Sequence, residues 1–273
     1  MNQPDKAATA NAVAAFKEMG GSVWYDEDGN VKSVLVSEVV LSSRDLRRLE
    51  AFPHLRKLTL WDCGIRDAIW RHLRVARELE SLTLRGSAVT DAGLKNLCYF
   101  PILKSLDLCQ TPITDAGQAQ IGQRTALETL DLLGTRIQGP GLIHLHGLKQ
   151  LQELCLVQTR VDDTALVHLR NMTSLIKLSL EDNRITNEGL IHLASLTNLE
   201  LLTIHNSETD EDGLVHLEGL KKLKTLYLDC AISEKGLASL KKLTALESPY
   251  FGDAEGGESR EKAQAALPDV GVY

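Results

Sequence analysis

The chain has 273 residues, 43% of them hydrophobic but only 4% aromatic, so it carries enough apolar mass for a sizeable core, and that core must be aliphatic. Its formal net charge of −7 argues against general nucleic-acid binding, which needs clustered Lys and Arg to neutralise phosphates. No apolar run approaches the length of a membrane span, so no membrane association is expected.

In chain order, Ala7 to Met19 places Ala10, Val13, Ala14 and Phe16 at helical spacing and stops at Gly20-Gly21. Val23–Tyr25 and Val31–Val36 flank Asp28-Gly29, a hairpin turn signal. Residues 1–30 therefore read as an N-terminal cap made of a helix and the start of a hairpin. Segments of the form L-x-x-L-x-L then begin at Leu55, Leu79, Leu103, Leu127, Leu151, Leu175, Leu199 and Leu223, a period of 24 residues. Degenerate copies start at Val31 and Leu246, giving about ten units over residues 31–251. A fixed period of this length means a solenoid. At the far end, Ser259–Leu267 reads as a last helix, followed by Pro268 and a short Val270–Tyr273 strand, so residues 252–273 form a C-terminal cap. The whole is expected to be one domain, stable by itself, with both ends covered.

The unit Leu175 to Asn198 shows the logic. Leu175, Leu178 and Leu180 point inward from a short strand, and Ile185 enters the core from the turn. Thr186 is placed to cap a helix, with Glu188 in its first turn, where the helix dipole favours an acid. Leu190, Leu193 and Leu196 then give one buried stripe. No unit can bury this side alone, so neighbours must stack. The crossover between parallel strands is right-handed by general rule. Strands stack about 4.8 Å apart and helices about 8–10 Å, so the array bends with the strands inside. The expected fold is α/β: a right-handed horseshoe with a concave parallel sheet and convex helices.

The pattern L-x-x-L-x-L-x-x-T-x-I-T-D-x-G-L-x-x-L resembles the leucine-rich repeat, closest to the ribonuclease-inhibitor-like and cysteine-containing types of bacterial proteins. Thr90-Asp91-Ala92-Gly93-Leu94 and Thr114-Asp115-Ala116-Gly117 carry its turn-and-helix part. The resemblance covers about residues 31–251 and implies protein–protein recognition on the concave face, without intrinsic catalysis. The chain departs from the commonest form at the ninth position of the repeat, where many members place Asn. Here that column reads Cys63, Ser87, Thr111, Thr135, Thr159, Asn183 and Ser207, so a continuous Asn ladder is not expected.

Five cysteines without a C-x-x-C indicate neither a disulfide framework nor a zinc ribbon, and a reducing interior is the simplest setting. The first twenty residues hold no apolar signal region, so a cytoplasmic protein is expected, with a leader removed beforehand left open. Histidines at 72, 144, 168, 192 and 216 share one place in the repeat. Successive helices stand about 8–10 Å apart, too far for one zinc, so the column reads as structural or solvent-facing, and no metal or cofactor is expected. Cys63, Cys98 and Cys230 read as small buried residues, Cys109 and Cys155 as outward strand positions.

Function must lie in the columns that vary. The seventh runs Trp61, Arg85, Cys109, Leu133, Val157, Glu181, His205, Asp229; the fifth runs Thr59, Thr83, Asp107, Asp131, Cys155, Ser179, Thr203, Tyr227. An apolar centre of Cys109, Leu133 and Val157 beside Trp61 and Arg85, with a polar surround, has the anatomy of a recognition surface. The candidate partner-binding set is Trp61, Arg85, Asp107, Cys109, Asp131, Leu133, Cys155, Val157, Glu181, His205 and Tyr227. Asp107 and Asp131 occupy equivalent places on adjacent strands, about 5 Å apart, without a third group or pocket beside them. The expected function is a monomeric, non-enzymatic module binding an unidentified protein. A self-associating scaffold subunit, and an enzyme built on the Asp107/Asp131 pair, are the alternatives. Gln118 and Arg124 in place of apolar residues, with Pro140 after Gly139, mark either drift or a notch on the convex side.

Overall fold

The computed structural model describes residues 6–205 and 207–251, together with 264, 265, 267 and 271. Its strands are β1 (Ser22–Tyr25), β2 (Val31–Ser37), β3 (Lys57–Trp61), β4 (Ser81–Thr83), β5 (Ser105–Asp107), β6 (Thr129–Asp131), β7 (Glu153–Cys155), β8 (Lys177–Ser179), β9 (Leu201–Thr203), β10 (Thr225–Leu228) and β11 (Ser248–Phe251). They lie side by side in sequence order in one open sheet. Every pair from β2 to β11 is parallel; β1 alone runs antiparallel, against β2. The register is a shift of 24 residues at each step from β2 to β10, as in Leu106↔Leu130 and Leu130↔Leu154, and of 23 at the last, Leu226↔Pro249. The ladder outlasts the short strands. Leu108 N–H donates to Asp131 O at 2.9 Å and Gln110 N–H to Leu133 O at 2.7 Å, so the seventh column is also part of the sheet surface.

The core is a file of aliphatic layers. The unit starting at Leu151 buries Leu151, Leu154, Leu156, Val161, Leu166, Leu169 and Met172, each at most 2% exposed. At about 1.5–3 kcal/mol per buried aliphatic side chain, these contacts between units are what hold the array. The convex side is built from single α turns and 3-10 turns such as Asn187–Leu190 and Ile191–Leu193. At the N-terminal end α1 (Lys6–Glu18) buries Ala12, Val13 and Phe16, with Phe16 tilted against Phe52 at 5.9 Å between rings. Ala12, not Ala10 or Ala14, joins Val13 and Phe16, because i, i+1 and i+4 from residue 12 share one helix face. The expected C-terminal helix and strand lie mostly outside the described residues.

Two repeating devices shape each unit. The eighth column takes a left-handed backbone in seven consecutive units: Glu38, Asp62, Gly86, Gln110, Gly134, Gln158 and Asp182 have φ between 52° and 66°. Only glycine adopts this conformation without steric cost, and other residues lose about 1–2 kcal/mol. Gln110→Gly should therefore raise stability by about 0.5–1 kcal/mol, and Gly134→Ala should lower it by about 1 kcal/mol. Urea-unfolding midpoints of the two variants check this; equal midpoints would contradict it.

The second device links successive helix starts. The carboxylate of Asp67 accepts from Thr90 N–H at 2.9 Å and Thr90 hydroxyl at 2.6 Å. Asp91 does the same for Thr114, and Asp163 for Thr186. Asn187 and Glu211 repeat the contact toward Asp210 and Ser233. Each such side chain needs room in the next unit, and a glycine provides it. A Cβ on Gly93, Gly117, Gly189, Gly213 or Gly236 would sit 2.1–2.7 Å from an oxygen of Asp67, Asp91, Asp163, Asn187 or Glu211, respectively. The exception has its own logic. Where the acid position holds Gly139, the partner position holds Ala165, whose Cβ lies 2.3 Å from where a Cβ on Gly139 would be. Asp162 then caps the helix by itself, accepting from Ala165 N–H at 3.2 Å.

The irregular units are filled. Gln118 occupies the apolar position fully buried, and Arg124 Nη1 donates to Leu97 O at 3.1 Å. Gly122 packs against the next unit so closely that a Cβ there would meet His144 O at 2.0 Å.

Candidate interaction surface on the sheet

The sheet face divides into an aromatic end, an acidic centre and a second aromatic end. At the first, Trp61 is 41% exposed and the Arg85 guanidinium lies 5.2 Å from its ring centre. This stacking fixes both side chains in a single patch. At the other end, Tyr227 and Tyr250 stack at 5.5 Å, both exposed. Tyr250 was not among the expected site residues. Placing the degenerate unit from Leu246 in the column frame puts Tyr250 in the fifth column, which is the signal that would have found it.

Between these ends the expected surface needs one correction. Cys109 is buried, 1% exposed, so it is not an outward apolar contact. It stands between Arg85 and Leu133 in the seventh column, and its thiol lies within 4.8 Å of a carboxylate oxygen of both Asp107 and Asp131. Burial, then those two acids, pushes the Cys109 thiol far above its ordinary pKa. Leu133 and Val157 are half-buried, as are Cys155, Glu181 and His205. Burial also raises the Cys155 thiol to about 12, with Asp131 adding to the shift. The exposure of Cys98 is a second correction: Leu97 takes the core-facing position, and the next residue on this 3-10 turn, about 120° away, meets solvent.

Asp107 and Asp131 pair directly in the sheet register. Each carboxylate is oriented by its own strand: Asp107 Oδ1 accepts from Cys109 N–H at 2.9 Å and Asp131 Oδ1 from Leu133 N–H at 3.0 Å. A third group does accompany them, contrary to expectation. One ligand atom from each of Asp107, Cys109 and Asp131 lies within 4.8 Å of the others. An open groove of about 490 Å³ runs along this face, past Thr83, Asp107, Asp131, Cys155 and Ser179. The ion pairs of the sheet do not include Asp107 or Asp131: Lys177–Glu153, at 2.7 Å, lines the same groove, and Lys104 pairs with Glu80 at 3.6 Å.

The histidine column does not behave as a unit. His72 is buried and its Nδ1 lies 2.6 Å from Glu50 Oε1, while His144 is exposed and His168, His192 and His216 are half-exposed. On the convex side the structure reveals a feature the sequence reading did not isolate. Ile143, Ile191 and Val215 are about half exposed, with Val167 between them in the same column of successive units. They form an apolar stripe across four neighbouring turns.

Comparison with known proteins agrees with this architecture. A family model described as "Leucine Rich repeat" matches residues 171–194. An internalin from Listeria monocytogenes superposes with a TM-score of 0.68 at 20% identity, covering 99% of this chain and 75% of that one. The fold is a leucine-rich-repeat solenoid. The Arabidopsis receptor kinase HAESA ectodomain, solved with a peptide hormone ligand, superposes with a TM-score of 0.57 at 19% identity. That match covers 89% of this chain and 47% of the ectodomain. No curated protein sequence matches the chain. No helix among the described residues is long and apolar enough to cross a membrane.

Proposed function

We propose that this leucine-rich-repeat solenoid is a non-enzymatic, intracellular module that binds a protein partner through the face of its sheet. The observation that carries the reading is the Trp61–Arg85 pair. An exposed Trp held by a cation–π contact on a rigid sheet has little conformational freedom to lose on binding. Leu133 and Val157, next along the same column, supply the apolar centre, and Asp107, Asp131, Cys155, Glu181 and His205 its polar surround. Cys109 acts from beneath, shaping the surface without touching a partner. Tyr227 and Tyr250 offer a second anchor at the far end of the arc. The HAESA ectodomain, bound to a peptide hormone, supports the class of role only.

A second reading, self-association as a scaffold subunit, is favoured by the stripe of Ile143, Val167, Ile191 and Val215. A contiguous apolar patch of this kind commonly marks a contact surface. One experiment separates the two. Affinity capture is run with the wild type, a sheet-face variant (Trp61→Ser, Arg85→Glu, Leu133→Ser) and a convex variant (Ile143→Ser, Ile191→Ser, Val215→Ser), each checked for folding by circular dichroism. Loss of captured protein with the sheet-face variant alone is the expected result. Retention by that folded variant overturns the reading. Light scattering over a concentration series tests self-association, which the convex variant alone should abolish.

A further inference from the structure

We propose that Asp107, Cys109 and Asp131 form a binding site for a borderline-soft divalent cation of the Zn²⁺ class, with the fourth ligand a water in the open groove. The site stands apart from the protein-binding reading, because its readout is metal uptake and not capture of a partner.

The donor set is the first ground. One thiol and two carboxylates from neighbouring units converge, with ligand atoms within 4.8 Å of one another. Tetrahedral zinc, with bonds of about 2.0–2.3 Å, separates its ligands by roughly 3.5 Å. Rotation of the three side chains about their own bonds would have to close that gap. A thiolate excludes Ca²⁺ and Mg²⁺ as preferred occupants, since both select all-oxygen shells.

Preorganisation is the second ground. Asp107 and Asp131 each spend Oδ1 on a backbone N–H two residues ahead, which fixes the rotamer and leaves Oδ2 free to bind. Outer bonds of this kind orient metal-binding carboxylates. The turn recurs at these two adjacent strands because only the units starting at Leu103 and Leu127 carry Asp in the fifth column; the flanking residues are Thr83 and Cys155. Cys109 brings its thiol within 4.8 Å of a carboxylate oxygen of each acid.

Charge is the third ground. Two carboxylates face one another across the sheet, and among the described residues neither has a cationic side chain paired with it, whereas Glu80, Glu153 and Glu200 do. A divalent ion would neutralise the pair, and the proton leaving Cys109 on binding would go to solvent. Cys155 pairs with Asp131 in the sheet register on the next strand without being one of the three donors.

The test uses the full chain. Co²⁺ is titrated as an optical probe and Zn²⁺ is counted by native mass spectrometry. One ion per chain is expected, with a thiolate-to-cobalt charge-transfer band that Zn²⁺ abolishes by displacement. Cys109→Ser should remove the band and weaken Zn²⁺ binding on the order of 100-fold or more, and Cys98→Ser should leave both unchanged. Asp107→Asn and Asp131→Asn, which preserve shape and the hydrogen bonds to Cys109 and Leu133 N–H, keep the test decisive if the cysteine variant fails to fold. Each should weaken binding with an unaltered far-ultraviolet spectrum. Cobalt uptake without a thiolate band, or zinc affinity unchanged in either Asn variant, would overturn the site.

Discussion

Asn183→Ala should lower the unfolding free energy by about 3 kcal/mol, near the upper end for a single substitution. Asn183 is 7% exposed, and all of its amide is used. Oδ1 accepts from Thr159 Oγ1 at 2.8 Å and from Val161 N–H at 3.1 Å. Nδ2 donates to the carbonyls of Leu156, Leu180 and Glu181 at 2.7, 3.0 and 3.2 Å. One side chain thereby joins the turns of two units. Alanine leaves Val161 N–H and Leu180 O without these partners, each costing about 1–3 kcal/mol when buried. The one hydroxyl hydrogen of Thr159, shared between Asn183 Oδ1 and Leu156 O, both at 2.8 Å, would then go wholly to Leu156 O, so part of the turn survives. Asn183→Thr should cost about half as much. The hydroxyls of Thr111 and Thr135 show what it would recover, each donating to the carbonyl three residues back at 2.6 and 2.7 Å. Thermal unfolding of the three proteins gives the order, with a drop of roughly 6–12 °C for alanine. Equal melting temperatures for wild type and Asn183→Ala would refute the bridging role.

The period of 24 was legible because burial is periodic: Leu154, Leu178 and Leu202 occupy the same place in three successive layers, and each has to be apolar. The concave columns were legible in part. Alternation on a strand sends residues five and seven outward, which located Trp61, Asp107, Asp131 and Tyr227. It failed at Cys109 because alternation says which way a side chain leaves the backbone and nothing about what then covers it. Two long neighbours, Arg85 and Leu133, and two acids can enclose a small thiol on the outer face of a sheet. The same limit hid the convex stripe. Ile143, Ile191 and Val215 sit among true core leucines in sequence, and only the rotation of each short turn separates them. The left-handed eighth column was hidden for another reason. Five of its seven residues are not glycine, so the conformation is imposed by the ladder on both sides and not by local preference.

The pairing of acid and glycine across units should appear as strong non-additivity. Gly189→Ala is expected to destabilise by about 2 kcal/mol, since a Cβ there would stand 2.1 Å from Asp163 Oδ1 and 3.1 Å from Leu166 Cδ1. The carboxylate must swing away, and Thr186 then loses bonds of 2.9 Å from its N–H and 2.7 Å from its hydroxyl. Asp163→Ala removes the same two bonds and should cost a similar amount. Once the acid is gone the space is open, and alanine is a better helix former than glycine by about 1 kcal/mol. The double variant should therefore be at least as stable as Asp163→Ala alone, a coupling of about 2 kcal/mol or more between residues 26 positions apart. The chain already contains the outcome of this experiment one unit earlier. Gly139 stands where the acid belongs, and Ala165 stands where the glycine belongs. Installing Asp at 139 alone should be unfavourable, because its Cβ would meet the Ala165 methyl at 2.3 Å. With Ala165→Gly beside it, Gly139→Asp should lose most of that penalty. Urea denaturation of the two cycles measures both couplings; strictly additive free energies in both would mean that acid and glycine occupy their columns independently.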